Sequence, residues 1–175
     1  MLLLRDLPKY ETLLTYSKRY RGMNPGAMEA YLCLLRVASD VLDATEQYYA
    51  SHGTSQGRFT VLALLNRTPD EPLNPADLAD RAGVTRATMT GLLQGLENDG
   101  LVKRTSCNDD KRMCWVELTA KGRKYVDSVL PGLFRGVSDL MGEISEKDRK
   151  NMLNVLEKVS DRIHYIADDE RRAAA

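Results

Sequence analysis

Residues 74–122 constrain the fold more than any other stretch, because two short helical segments joined by one glycine run straight into a charged hairpin. Asn74 and Pro75 open the first segment. An asparagine at the cap accepts from exposed amides, a proline in the first turn sacrifices no hydrogen bond, and Asp77 lies near the positive end of the helix dipole. The spacing predicts a helix from Asn74 to Ala82, stopped by Gly83, which tolerates the left-handed backbone of a helix end. Val84 then packs back and Thr85 offers a hydroxyl to the amides of a second helix that runs to Asp99.

In that second helix Met89, Leu92, Leu93 and Leu96 recur at i, i+3, i+4 and i+7, a continuous stripe for the core. The opposite face carries Ala87, Thr90, Gly91, Gln94 and Asn98, with Arg86 and Thr88 near the N-terminus. Small residues mixed with hydroxyls, an amide and one guanidinium suit a helix that enters a groove about 12 Å wide and bonds to base edges. An ordinary solvated face would hold more Glu and Lys. Gly91 costs about 1 kcal/mol relative to alanine inside a helix, and close approach to another surface would explain it.

After Gly100, Leu101–Ser106 and Met113–Leu118 read as two strands, with Asn108, Asp109 and Asp110 as turn-formers. Cys114, Val116 and Leu118 fall on one face and Met113, Trp115 and Glu117 on the other, which leaves Trp115 half-exposed or covered by a neighbouring segment. Residues 103–124 hold seven basic side chains against three acidic ones. The 175-residue chain as a whole is neutral, 25 basic against 25 acidic, so any affinity for nucleic acid must come from where charge is placed. The fold class is mainly α with a small β-hairpin wing.

The stretch LNPADLADRAGVTRATMTGLLQGLENDGLVKRTSCNDDKRMCWVELTAKG resembles the MarR-type winged-helix transcription regulators from end to end. Asp110-Lys111-Arg112 is similar to the family's wing-tip Asp-x-Arg, and Leu118-Thr119-Ala120-Lys121-Gly122 to the Leu-Thr-x-x-Gly that opens the next helix. Where many members carry a recognition-helix arginine this chain has Gly91, which leaves Arg86 as the cationic candidate on that helix. The resemblance implies a recognition helix in the major groove and Arg112 in an adjacent minor groove, oriented by Asp110; a solvated hairpin tip is the plainer alternative. The DNA-binding candidates are therefore Thr85, Arg86, Thr88, Thr90, Gln94, Lys103, Arg104, Asp110, Lys111 and Arg112, although Thr85 also suits a simple cap.

The remainder reads as helical: about Leu7 to Tyr20 or else a disordered arm, Pro25 to Ser51, Ser55 to Arg67, Thr119 toward Leu130 with a bend at Pro131-Gly132, and a Ser145-capped helix to about Ala167. This divides the chain into an extension at 1–23, a helical dimerisation region at 24–54 and 125–175, and a DNA-binding lobe at 55–124. The terminal helices need a partner for their apolar stripes, or must fold back on their own lobe. A homodimer would set two recognition helices about one DNA turn apart and match an inverted-repeat operator on double-stranded DNA.

No secretory h-region and no apolar run of membrane-spanning length occurs, which points to a cytoplasmic protein without a membrane partner. The resemblance implies a repressor released by a small amphipathic or aromatic effector, the N-terminal segment, Cys33 and VLPG being similar to the branch that represses multidrug efflux. Arg58 is a weak candidate partner for an effector carboxylate, a solvent-exposed helix arginine being the plainer reading. Cys33 admits a rival implied by resemblance to another branch, a peroxide-sensing repressor whose thiol is activated by tyrosines of the partner subunit, for which Tyr48 and Tyr49 are available, against the usual buried, inert cysteine. A winged helix for protein contact, with Met113 and Trp115 at its edge, is the second functional class. His52 and His164 have no ligand-like neighbours in sequence, and no nucleophile elbow or phosphate loop occurs, so neither metal, cofactor nor enzymatic chemistry is expected.

Overall fold

The computed structural model describes residues 6–67, 71, 73–106 and 114–173, with the backbone alone at 106, 114, 164 and 166–173. Seven helices and one hairpin occur among them in the order α1 Tyr10–Arg19, α2 Pro25–Ser51, α3 Gln56–Arg67, α4 Pro75–Ala82, α5 Arg86–Asn98, β1 Val102–Ser106, β2 Cys114–Leu118, α6 Ala120–Gly142 and α7 Glu146–Ala173. The chain forms two compact units, one ending at Val129 and the other beginning at Leu130.

The first unit is built around α3, whose Phe59, Val61, Leu62, Leu64 and Leu65 are all buried. Apolar residues on so many sides make a helix that is covered by its neighbours. Leu78 and Ala79 of α4, Met89, Leu93 and Leu96 of α5, Val102, Val116 and Leu118 of the hairpin, and Val126 and Val129 of α6 complete the core. The hairpin is antiparallel, pairing Val102 with Leu118, Arg104 with Val116 and Thr105 with Trp115. Leu73 adds a one-residue bridge, exchanging both backbone hydrogen bonds with Val116 (2.8 and 3.3 Å).

At the other end of the unit α1 packs on α2 and buries Leu13. Asn24 caps α2 by accepting from the Ala27 amide (3.0 Å). The end of α2 is tied to its neighbours by three contacts. Glu46 accepts from the Gln56 amide (2.8 Å), Tyr49 stacks on Phe59 at 4.8 Å, and the Tyr48 hydroxyl donates to the Val129 carbonyl (2.6 Å). Burial, with Tyr48 and Glu46 nearby, raises the Tyr49 phenol above its ordinary range.

In the second unit Ser145 caps α7 by accepting from the Asp148 amide (3.2 Å). This helix has no buried side chain among the described residues and exposes Met152, Leu153, Leu156, Val159 and Ile163. Two sequence expectations need correction. The helix expected to run toward Leu130 does not stop there: α6 continues through Pro131 to Gly142, the proline removing one backbone hydrogen bond without ending the helix. The last helix reaches Ala173, beyond the expected Ala167.

Candidate nucleic-acid interface

The helix-turn-helix folds as its termini dictate. The Asn74 side chain accepts from the Asp77 amide (2.8 Å), and Gly83 ends α4 at φ +66°. The Val84 amide then reaches the Ala79 carbonyl (3.0 Å) and the Gly83 amide the Asp80 carbonyl (3.2 Å), the paired bonds of a Schellman end. Thr85 accepts from the Thr88 amide (3.1 Å) and starts α5. At the far end Gly100 (φ +70°) repeats the device, with Leu101 bonded to Leu96 and Gly100 to Glu97, both at 2.9 Å. Both ends of α5 are therefore fixed by the chain itself.

With Met89, Leu93 and Leu96 buried, about 100° per residue puts Ala87, Gly91, Gln94 and Asn98 on the opposite face. Arg86, Ala87, Thr88, Thr90, Gly91, Gln94 and Asn98 are all exposed. A Cβ added at Gly91 would meet nothing within 4 Å, so no packing within the protein requires glycine there. Much of the polar capacity is already engaged: Thr85 and Thr88 share a hydroxyl hydrogen bond (2.9 Å), Thr90 donates to the Arg86 carbonyl (2.9 Å), and Gln94 donates to Asn98 (3.0 Å).

The wing divides its cations by strand alternation. Lys103 lies on the outer face, exposed, paired with Glu117 across the ladder (2.9 Å). Arg104 stands opposite the buried Val116, on the inner face, and its half-buried guanidinium meets Glu97 of α5 at 3.3 Å. Its Nε and Nη2 have no aligned hydrogen-bond partner among the described residues, so Glu97 contributes mainly charge. Grouping Arg104 with the exposed cations overlooked this, although its place two residues after buried Val102 carries the signal. Trp115 is half-buried, as its alternation implied. Asp110, Lys111, Arg112 and Met113 lie outside the described residues.

Two candidates away from this face stand differently from expectation. Arg58 is not an exposed arginine: about a quarter of its side chain is accessible, and it donates to the Asp99 carboxylate and the Gly95 carbonyl. This hydrogen bond and the Arg58 charge, with a further contribution from Lys121, hold the Asp99 carboxyl below its ordinary range. An effector carboxylate would have to displace Asp99 to use Arg58. Cys33 is exposed on α2 and not buried. Within the chain Tyr48 and Tyr49 are engaged with Val129 and Phe59. Among the described residues no group of acidic, His and Cys side chains could hold a metal ion, and no helix is long and apolar enough to cross a membrane.

Comparison with known proteins matches this architecture. A sequence profile of the MarR family fits residues 52–113. The HTH-type transcriptional repressor YetL of Bacillus subtilis is 34% identical over 165 residues, covering 94% of this chain and 99% of that protein. Among solved structures, AbsC, a MarR family regulator from Streptomyces coelicolor, superposes with a TM-score of 0.75 at 18% identity, over 83% of this chain and 99% of the other. The S. aureus MepR–DNA complex gives 0.67 at 20% identity, over 76% and 95%. The structural likenesses, at such identities, speak to the fold alone, and the full-length likeness to YetL establishes the family.

Proposed function

Because the chain belongs to the MarR family of winged-helix transcription regulators, which are DNA-binding proteins and not enzymes, we propose that it acts as a homodimeric repressor of an inverted-repeat operator. The observation that carries this is the outward face of α5, where small and short polar residues stand exposed on a helix whose other side buries Met89, Leu93 and Leu96 and half-buries Leu92. Arg86, Thr88, Thr90 and Gln94 contact base edges and phosphates in the major groove, while Lys103 and the wing-tip residues Asp110, Lys111 and Arg112 serve the adjacent minor groove and backbone. Thr85 and Arg104 support the site by capping α5 and pairing with Glu97.

Dimerisation draws support from each unit separately. In α7 the exposed Met152, Leu156, Val159 and Ile163 recur at helical spacing, and α2 exposes Tyr31, Leu34, Val37 and Val41. Residues 24–54 and 125–175 would then form the dimerisation region, 55–124 the DNA-binding lobe and 1–23 an extension. A small amphipathic or aromatic effector releases the operator by favouring a dimer shape with a different spacing of recognition helices, which needs only a few kcal/mol of differential affinity.

The test is an electrophoretic shift with the DNA upstream of the gene at two salt concentrations, beside sedimentation of the free protein. Expected are a dimer, a retarded complex that weakens steeply with salt, and loss of affinity in Arg112→Ala. A stable monomer, or binding absent or indifferent to salt, would replace this reading by a protein-contact winged helix.

A further inference from the structure

We infer that Arg58 is a positioning residue for DNA recognition: from α3 it holds the C-terminal end of α5 through Asp99 and so fixes the angle at which that helix meets the duplex. This rests on α5 being the helix that reads DNA.

Three cations from three different elements converge on the end of α5. Arg58 of α3 donates to the Asp99 carboxylate and the Gly95 carbonyl (3.4 Å), Lys121 of α6 donates to the Asp99 carbonyl (2.7 Å), and Arg104 of β1 faces Glu97 (3.3 Å). All three lie where the helix dipole favours positive charge. At the opposite end the cap comes from the helix's own Thr85.

Arg58 stands apart from the other two because its helix is a core element. A Cβ at the neighbouring Gly57 would lie 3.6 Å from Leu92, so α3 and α5 pack closely at this level. The opening of α3 is in turn held to α2 by Glu46 and by the Tyr49–Phe59 stack. Arg58 therefore links the end of α2 and the core helix to one end of the recognition helix. Its Nε is buried without a hydrogen-bond partner among the described residues. The guanidinium thus tolerates an unsatisfied donor while reaching a carboxylate and a carbonyl together, which suits its forked geometry better than an ammonium. The pair lies at the C-terminal end of α5, away from the N-terminal residues through which recognition helices contact bases.

The experiment uses the full chain with Arg58→Met, Arg58→Lys and the exchanged pair Arg58→Asp with Asp99→Arg. Affinity for the operator and for an unrelated duplex is measured at several salt concentrations, at a temperature where circular dichroism shows each variant folded. Arg58→Met should weaken operator binding about fivefold to tenfold, with the salt slope and the affinity for unrelated DNA unchanged. Lysine should recover part of the loss and the exchanged pair more. A folded Arg58→Met with wild-type operator affinity overturns the inference, and so does a salt slope shallower by about one, which would make Arg58 a phosphate contact. If Arg58→Met does not fold, the lysine and exchanged variants decide by the same readouts. Absence of operator binding by the wild-type protein would instead sink the DNA-reading role of α5.

Discussion

Replacing Gly122 by alanine should destabilise the DNA-binding lobe although alanine is the better helix former. A Cβ there would stand 2.0 Å from the Leu101 carbonyl oxygen, 3.0 Å from its carbon and 3.3 Å from a methyl of Leu118. A carbon resting on a carbonyl oxygen needs about 3.3 Å or more, so the gap must open by roughly 1.3 Å. The carbonyl cannot simply rotate away. It accepts from the Thr119 amide (3.1 Å) and hydroxyl (3.3 Å), while the Leu101 amide closes the end of α5 on Leu96 (2.9 Å). Two weakened hydrogen bonds at about 1 kcal/mol each, with roughly 1 to 3 kcal/mol for overpacking, set the cost at about 3 to 5 kcal/mol. The helix preference of alanine returns about 1 kcal/mol. The net loss of about 2 to 4 kcal/mol should lower Tm by roughly 5 to 15 °C in calorimetry at fixed protein concentration. Gly136→Ala, where a Cβ meets nothing, is the control and should hold or raise Tm. A Gly122→Ala protein melting within about 2 °C of wild type would refute the close backbone approach and the reasoning built on it.

Two further substitutions separate stability from recognition. Gly91→Ala should stabilise the protein by about 1 kcal/mol in denaturant titration, because its Cβ enters open space, yet weaken operator binding by keeping α5 out of the groove; a stability gain with unchanged affinity would show that this face is not the seat. For Asp99→Asn the test is pH. The folded carboxyl sits below its unfolded value, so the Arg58 contact stabilises fully above about pH 4 and is lost as pH falls through the folded value. The Tm difference between wild type and Asp99→Asn should be constant from neutrality to about pH 5 and shrink below about pH 4; a difference that instead changed near neutrality would point to another group.

The helix-turn-helix was legible because its signals are local. Asn74, Gly83 and Thr85 each act through a residue within five positions, and the structure places all three in the roles their chemistry suggests. The apolar stripe of α5 was equally legible, since one helix repeats its own pattern. The Leu-Thr-x-x-Gly stretch was recognisable only as a resemblance, and its physical cause lies across the fold. Leu118 fills the core, Thr119 caps α6 and donates to the Gly100 carbonyl (2.7 Å), and Gly122 admits the backbone of Leu101.

What the sequence did not disclose shares one property: it depends on which distant element faces a side chain. Arg58 and Asp99 are 41 positions apart and no periodicity relates them, so a helix arginine destined for a carboxylate looks the same as one left in water. Arg104 differs, because alternation from Val102 already turned it inward, and the basic count of residues 103–124 concealed that by treating every cation as equivalent. The distinction matters for a chain with no net charge. Once Arg58 is committed to Asp99 and Arg104 to Glu97, part of the positive charge near α5 serves to hold that helix in place, and affinity for a duplex must come from cations that remain outward, such as Arg86, Lys103, Arg123 and Lys124. The salt slope of operator binding therefore counts outward cations and should fall short of the number of basic residues in the lobe.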